Sequence, residues 1–279
     1  MTQRVATGVE LRDGRKIGKV QTMRRIRFVI VASFLLASST CFLINQSHAT
    51  GNGDRIKRIL DTTDDLFRGT SSHGKMSMKV KTANWTRTVE IEFWAQGEDK
   101  SFMQITAPKK EKGVKTLRVD KDMWNFLPKV KRVIKVPSSM MGGSWMGSHF
   151  SNNDLVKQSR MDEDFDAKIT FEGKRNNQDV IEITGMVRED AVIVWGKVVL
   201  VCDAKTYIPI QIDYYDEDMK LARTMTFAEP KKFGKRTLPA VMKIVPTDEP
   251  EEFTEMRYMA IDFEAKIPDK IFTKRNLKR

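Results

Sequence analysis

Between Asp54 and Arg68 apolar residues recur at three- and four-residue spacing, at Ile56, Ile59, Leu60, Thr63, Leu66 and Phe67, the period of an amphipathic helix. Asp54 is placed to cap its start and Gly69 to end it. Beyond Gly69 the period drops to two. Val89, Ile91 and Phe93 alternate with Glu90 and Glu92, which predicts a strand with one apolar and one wet face. Short runs of the same kind follow at Phe102–Ile105, Val114–Val119, Met123–Leu127 and Arg132–Val136. In the second half Ile169–Glu172 and Val180–Thr184 flank Asn176-Asn177, and Ile208–Tyr215 and Leu221–Phe227 flank Asp216-Glu217-Asp218. Both pairs read as hairpins. Trp195–Cys202, Ala240–Val245 and Met256–Phe263 complete the antiparallel strands read in this way. No βαβ alternation occurs, so a parallel nucleotide-binding sheet is not expected. The fold class is mainly β with helices (α+β), a curved antiparallel sheet.

One stretch breaks the strand period. Pro137 to Leu155 is rich in Ser, Met, Gly and Trp, with a short helix expected near Ser151, capped from Asn152-Asn153-Asp154. Met140, Met141, Trp145, Met146 and Phe150 make it an apolar loop jointed by Gly142, Gly143 and Gly147. Thioethers and indoles repack readily around irregular hydrophobes. Composition alone leaves two readings open, a cover for an apolar ligand or a plug for one end of the core.

The chain is 40% hydrophobic over 279 residues, enough for a substantial core, and carries a formal charge of +12. Residues 1–49 contribute eight Lys and Arg against Glu10 and Asp13, half of that excess. This placement argues against nucleic acid as a partner, because the charge belongs to a targeting segment. Arg24, Arg25 and Arg27 precede the apolar run Phe28–Ile44, and Ser47-His48-Ala49 offers a small-residue cleavage site. Residues 1–49 are therefore an N-terminal extension and signal peptide, with translation starting at Met1 or Met23, and residues 50–279 the mature domain. An uncleaved inner-membrane anchor through residues 28–44 is the alternative. Cys202 stands alone in the mature chain, so no intramolecular disulfide is expected.

Candidate chemistry is sparse. The mature chain has only His73 and His149 and no Cys pair, too few ligands for a recognisable zinc motif. Asp162, Asp164 and Asp166 imitate the start of a calcium loop, but Ala167 and Gly173 stand where that loop needs Gly and Glu. They read as a solvated linker. Ser72-His73-Gly74-Lys75 has the Ser-x-x-Lys spacing of a nucleophile and base without its companion motifs, and reads as a turn into a strand. No catalytic residue, metal or cofactor is expected.

Asp122-Met-Trp-Asn-Phe-Leu-Pro128, the Arg132 and Lys135 pair, Ser144-Trp-Met-Gly-Ser-His-Phe150 with Asp154-Leu155, and the closing Ile267-Pro-Asp-Lys-Ile-Phe-Thr273 with Asn276-Leu277 together resemble the outer-membrane lipoprotein-sorting protein family, the LolA-like proteins. His149 departs from the pattern, where Asp is expected. The resemblance implies an unclosed β-barrel around helices, with an apolar cavity for acyl chains. A periplasmic, monomeric carrier of lipid or lipoprotein is the expected function. An inner-membrane lipid exporter and an outer-membrane acceptor would be its partners, and a lipid-sensing or regulatory binding module is the alternative. The expected lipid-binding residues are Phe93, Phe102, Trp124, Phe126, Met140, Met141, Trp145, Met146 and Phe150. Lys129, Lys131, Arg132 and Lys135 are the expected contacts to head groups, or an ordinary solvated strand edge.

Overall fold

A computed structural model describes residues 44–67, 69–156, 161–191 and 193–278. The helix α1 (Ile44–Phe67) is followed by β1 (Ser71–Lys81), β2 (Thr86–Gln96), β3 (Lys100–Ala107), β4 (Lys115–Val119), β5 (Asp122–Leu127) and β6 (Arg132–Lys135). After the short helices α2 (Asn152–Val156) and α3 (Met161–Asp164) come β7 (Phe165–Arg175), β8 (Gln178–Val187), β9 (Lys197–Asp203), β10 (Pro209–Tyr215), β11 (Leu221–Phe233), β12 (Arg236–Pro246) and β13 (Phe253–Asp262). The chain ends in a 3-10 turn, Asp269–Phe272, and α4 (Lys274–Leu277).

The strands form a single antiparallel sheet in the order β6-β5-β4-β3-β2-β1-β13-β12-β11-β10-β9-β8-β7. Two meanders, β1–β6 and β7–β13, are joined where β1 pairs β13, with Met78 opposite Met256. The curved sheet does not close: β6 and β7 are its free edges. The connection between them, residues 136–164, links consecutive strands that do not pair, so it runs from one edge of the sheet to the other.

One face, here called inner, carries Met76, Met78, Val80, Val89, Ile91, Phe93, Ile105, Met225, Ile244 and Met256 in a continuous buried cluster. Helix α1 lies on this face: Ile59 and Leu60 pack with Ile181, Ile183, Leu200 and Cys202, and the Phe67 ring sits 6.5 Å from that of Tyr258. The six apolar positions expected for the helix are those that bury it. Thr63, which turns its hydroxyl to the Ile59 carbonyl at 2.9 Å, also reaches the Tyr207 carbonyl at 3.0 Å. The Asn176-Asn177 turn adopts φ of 49° and 64°, the left-handed pair that a two-residue hairpin demands and Asn tolerates.

Several expectations need correction. The described residues form thirteen strands, and β1, unread from the sequence, lies near the middle of the sheet. Its first half lacks large apolar residues because Gly74 leaves room for a ring: a Cβ there would lie 2.6 Å from the Phe93 Cζ. Ser72 and Lys75 fall within β1, Ser72 buried and Lys75 exposed. Residues three apart on a strand point to opposite faces, so the two cannot act on one another. Helix α1 begins at Ile44, ten residues before Asp54, and runs through Ala49 and Thr50. Asp162 and Asp164 belong to α3 and Asp166 to β7, where Arg188 bonds Asp166 at 3.0 Å, so the segment is not a linker. Residues 1–43, with the targeting signals read there, lie outside the described residues. No described helix is long and apolar enough to cross a membrane.

Candidate functional site

The connection from β6 to β7 folds back over the inner face. Its short helix α2 is capped by a reciprocal pair: Asp154 N–H donates to Ser151 Oγ at 3.1 Å and Ser151 N–H to Asp154 Oδ2 at 2.7 Å, a capping box in which Asp takes the acidic position. Ser151 thus caps the helix, in place of the Asn-Asn-Asp run. Asn152 Nδ2 holds the Met140 and Gly143 carbonyls at 3.1 Å each. Met146 and Gly147 make a left-handed turn at φ 52° and 69°. The loop is internally bonded rather than loosely jointed.

Trp145 is fully buried in the inner cluster, with Phe150 beside it and Met146 and Leu155 packed against it. Its Nε1 donates to Thr116 Oγ1 at 3.2 Å, and Thr116 donates to Asn125 Oδ1 at 2.8 Å, so the indole N–H is satisfied inside the sheet. Met140 is 60% exposed and Met141 half-buried, and neither belongs to the cluster.

Three side chains pin the loop. Arg87 donates to the Met146 carbonyl and reaches Glu111 at 3.2 Å. Arg223 grips Asp154 bidentately at 2.9 and 2.7 Å. Its guanidinium lies 4.6 Å from the Trp195 ring centre and 4.5 Å from that of Tyr214. Burial would raise the Asp154 carboxyl, but the hydrogen bonds and charge of Arg223, with the Ser151 N–H, outweigh it and hold Asp154 below the usual carboxylate range. His149 is the third pin, with its ring against Thr254 and Glu252.

Between α1 and the second meander a cavity of about 70 Å³ remains, lined by Leu60 and Thr63 of α1 and by Phe165, Leu200, Ile212 and Tyr214. Burial pushes the Tyr214 phenol up to about 12, so it stays neutral, while Asp64 of α1 adds a carboxyl group to the lining. Ligand pockets usually span about 300–1,000 Å³. This cavity is well below that size.

The expected lipid-binding residues divide between the two faces. Register pairs Phe93 with Met103 and Met103 with Thr116 on the inner side. It pairs Trp94 with Phe102, Phe102 with Leu117 and Leu117 with Trp124 on the other. Phe126, two residues from Trp124, shares that outer side. Phe102, Leu117 and Trp124 are covered there by Phe272 and Leu277 of the C-terminal segment. Expecting Phe102, Trp124 and Phe126 to line one cavity with Phe93 is corrected: strand parity puts them on the opposite side of the sheet. Lys274 lies 4.4 Å and Lys135 5.8 Å from the Trp124 ring centre. Lys129, Lys131, Arg132 and Lys135 lie exposed on the β5–β6 hairpin at the sheet edge. Lys135 is tied to Asp122 at 2.8 Å, and Val130 of the same turn is 59% exposed.

Sequence reasoning missed Arg223, Thr116 and Leu200. Nothing local marks them, since their partners lie far away in the chain. Cys202 is buried, and burial with the nearby Asp203 charge pushes its thiol up to about 12, which makes it unreactive.

The model of a protein family described as "uncharacterized protein" matches residues 97–279. No curated protein matches the chain. Among solved structures, it is similar to a domain from Vibrio parahaemolyticus assigned to outer membrane lipoprotein sorting, with 24% identity, a TM-score of 0.70 and coverage of 83% of this chain and 100% of that one. A DUF1329 family protein from Desulfovibrio piger gives 18% identity, a TM-score of 0.73 and coverage of 82% and 98%. A LolA superfamily protein from Nitrosomonas europaea gives 18%, 0.65, and 79% and 98%. The fold is LolA-like.

Proposed function

The chain belongs to the protein family, described as "uncharacterized protein", whose model spans its residues 97–279, and from that premise and the LolA-like fold we propose that it is a non-enzymatic carrier of the bacterial periplasm that shields the acyl chains of a lipid or lipoprotein. The observation that carries this reading is an apolar inner face roofed by two elements from outside the strand ladder, α1 and the loop of residues 137–155. Acyl chains lose about 0.8 kcal/mol per methylene left in water. A carrier needs only an apolar concavity and a roof that moves; no covalent step is required. The solved structure assigned to lipoprotein sorting is similar in fold, and this supports the reading.

In this reading the roof opens at the α1 side, where a cavity already exists. The pinned loop forms the fixed end against which the acyl chain stops. Signal cleavage before Thr50 would shorten α1 from its N-terminal end and leave the packed part, Ile56 to Phe67, in place. The carrier acts as a monomer between an inner-membrane exporter and an outer-membrane acceptor.

Native mass spectrometry of the protein recovered from the periplasm tests this. Bound phospholipid or acylated protein, lost on delipidation and regained from phospholipid vesicles, is expected, with Leu60→Asp lowering the regained fraction. A protein that takes up no lipid, and instead holds one protein partner stoichiometrically, would replace the carrier with the sensing module. N-terminal sequencing decides the start of the mature chain.

A further inference from the structure

We propose that His149, Glu249 and Glu252 form a binding site for a divalent transition-metal cation, which staples the roof loop to the β12–β13 connection. Each side chain offers one ligand atom, and these atoms all lie within 4.8 Å of one another. His149 Nε2 is 3.3 Å from Glu252 Oε2, and the two side chains are 14% and 13% exposed. Glu249 closes the group from the solvent side.

The two inner ligands are held from behind by groups outside the trio. The fully buried Thr254 accepts the His149 backbone N–H at 2.9 Å, and its hydroxyl lies 2.8 Å from Nδ1 of the same residue. With the proton on Nδ1, donated to Thr254, Nε2 presents its lone pair toward the carboxylates. This is the outer-shell arrangement that fixes tautomer and ring orientation in metal-binding imidazoles. Glu252 uses Oε1 to accept the Ala83 N–H at 2.6 Å, which leaves Oε2 turned to the imidazole.

Donor chemistry selects the ion. One imidazole and two carboxylates suit zinc and its neighbours in the first transition row, whereas calcium and magnesium prefer all-oxygen shells. At metal–ligand distances of about 2.0–2.2 Å the three donors must draw together to about 3.5 Å apart. The exposed Glu249 supplies that movement. Three protein ligands leave a coordination position for water. The ion would join residues 149 and 252, far apart in sequence, and tighten the loop that carries Trp145.

The inference does not depend on what the inner face carries. Titration calorimetry of the chelator-treated, dialysed full-length protein with zinc chloride is expected to give one site of micromolar or tighter affinity, with no matching signal from magnesium chloride. The exposed Glu249→Gln, which leaves the core untouched, and His149→Gln should each remove that site. Thr254→Val should weaken it by about ten- to a hundredfold, the usual outer-shell effect. His73→Gln, at a histidine whose Nε2 lies 2.9 Å from Glu92 Oε1 away from this trio, should bind zinc like wild type. Zinc should also raise the melting temperature of wild type but not of Glu249→Gln. Wild type with only millimolar zinc affinity, or Glu249→Gln and His149→Gln binding as tightly as wild type, would overturn the proposal.

Discussion

Arg223 on β11 holds Asp154 at the start of α2 through two hydrogen bonds of 2.9 and 2.7 Å, so a buried ion pair fastens the roof loop to the sheet across 69 positions of chain. The arginine's flat face is sheltered by Trp195 and Tyr214, which suits guanidinium and not ammonium. Breaking such a pair from one side leaves a buried charge without its partner and costs about 3–5 kcal/mol. Asp154→Asn and Arg223→Met should each lose that much in urea unfolding, and the double variant less than their sum.

The same pair sets a pH dependence. Asp154 lies below its ordinary range in the folded state, so its contribution is complete above the unfolded carboxylate value of about 3.9 and is lost as pH falls through the lower folded value. Unfolding free energy should drop below pH about 4 in wild type. In Asp154→Asn that part of the decline should be missing.

Trp145 is fully buried and hydrogen-bonded to Thr116. Trp145→Ala should cost about 3–5 kcal/mol, as large aromatic deletions in cores do. Trp145→Phe, which keeps most of the ring and loses the N–H bond, should cost less. A loss well under 1 kcal/mol for the alanine variant, measured by denaturant midpoint, would show that the loop does not pack in solution as described.

Phe93 and Trp124 separate the two faces of the sheet. Alanine at either should destabilise the fold by a few kcal/mol. Lipid retained per folded molecule, read by native mass spectrometry, should fall for Phe93→Ala and hold for Trp124→Ala, whose ring packs under the C-terminal segment.

Gly74 is the fifth test, because an added Cβ would lie 2.5 Å from the Ala260 carbonyl oxygen and 2.6 Å from the Phe93 ring. Gly74→Ala should destabilise by about 1–3 kcal/mol, the range of core overpacking. A thermal melt unchanged from wild type would place the Phe93 ring elsewhere.

Local periodicity determined the elements themselves. The spacing of Ile56, Ile59, Leu60, Thr63, Leu66 and Phe67 set the buried face of α1, alternation marked most of the strands, and Asn176-Asn177 marked its hairpin. The Met/Trp run identified the segment that leaves the ladder. Period two says that alternate residues share a face but does not say which face is inner. The loop covers the inner side of β2 and β3, and Ile267 to Leu277 cover the outer side at Trp94, Phe102, Leu117 and Trp124, so Phe102, Trp124 and Phe126 could not be told from Phe93 without the register. Strand β1 carries the alternation at Met76, Met78 and Val80, and only its first half, with Gly74 at an inner position, hides it. Arg223 with Asp154, and His149 with Glu252, came together only through the closure of β1 on β13 and the passage of one loop between the sheet's two edges. Those contacts join positions far apart in the chain, and hydrophobic spacing, being local, carries no record of them.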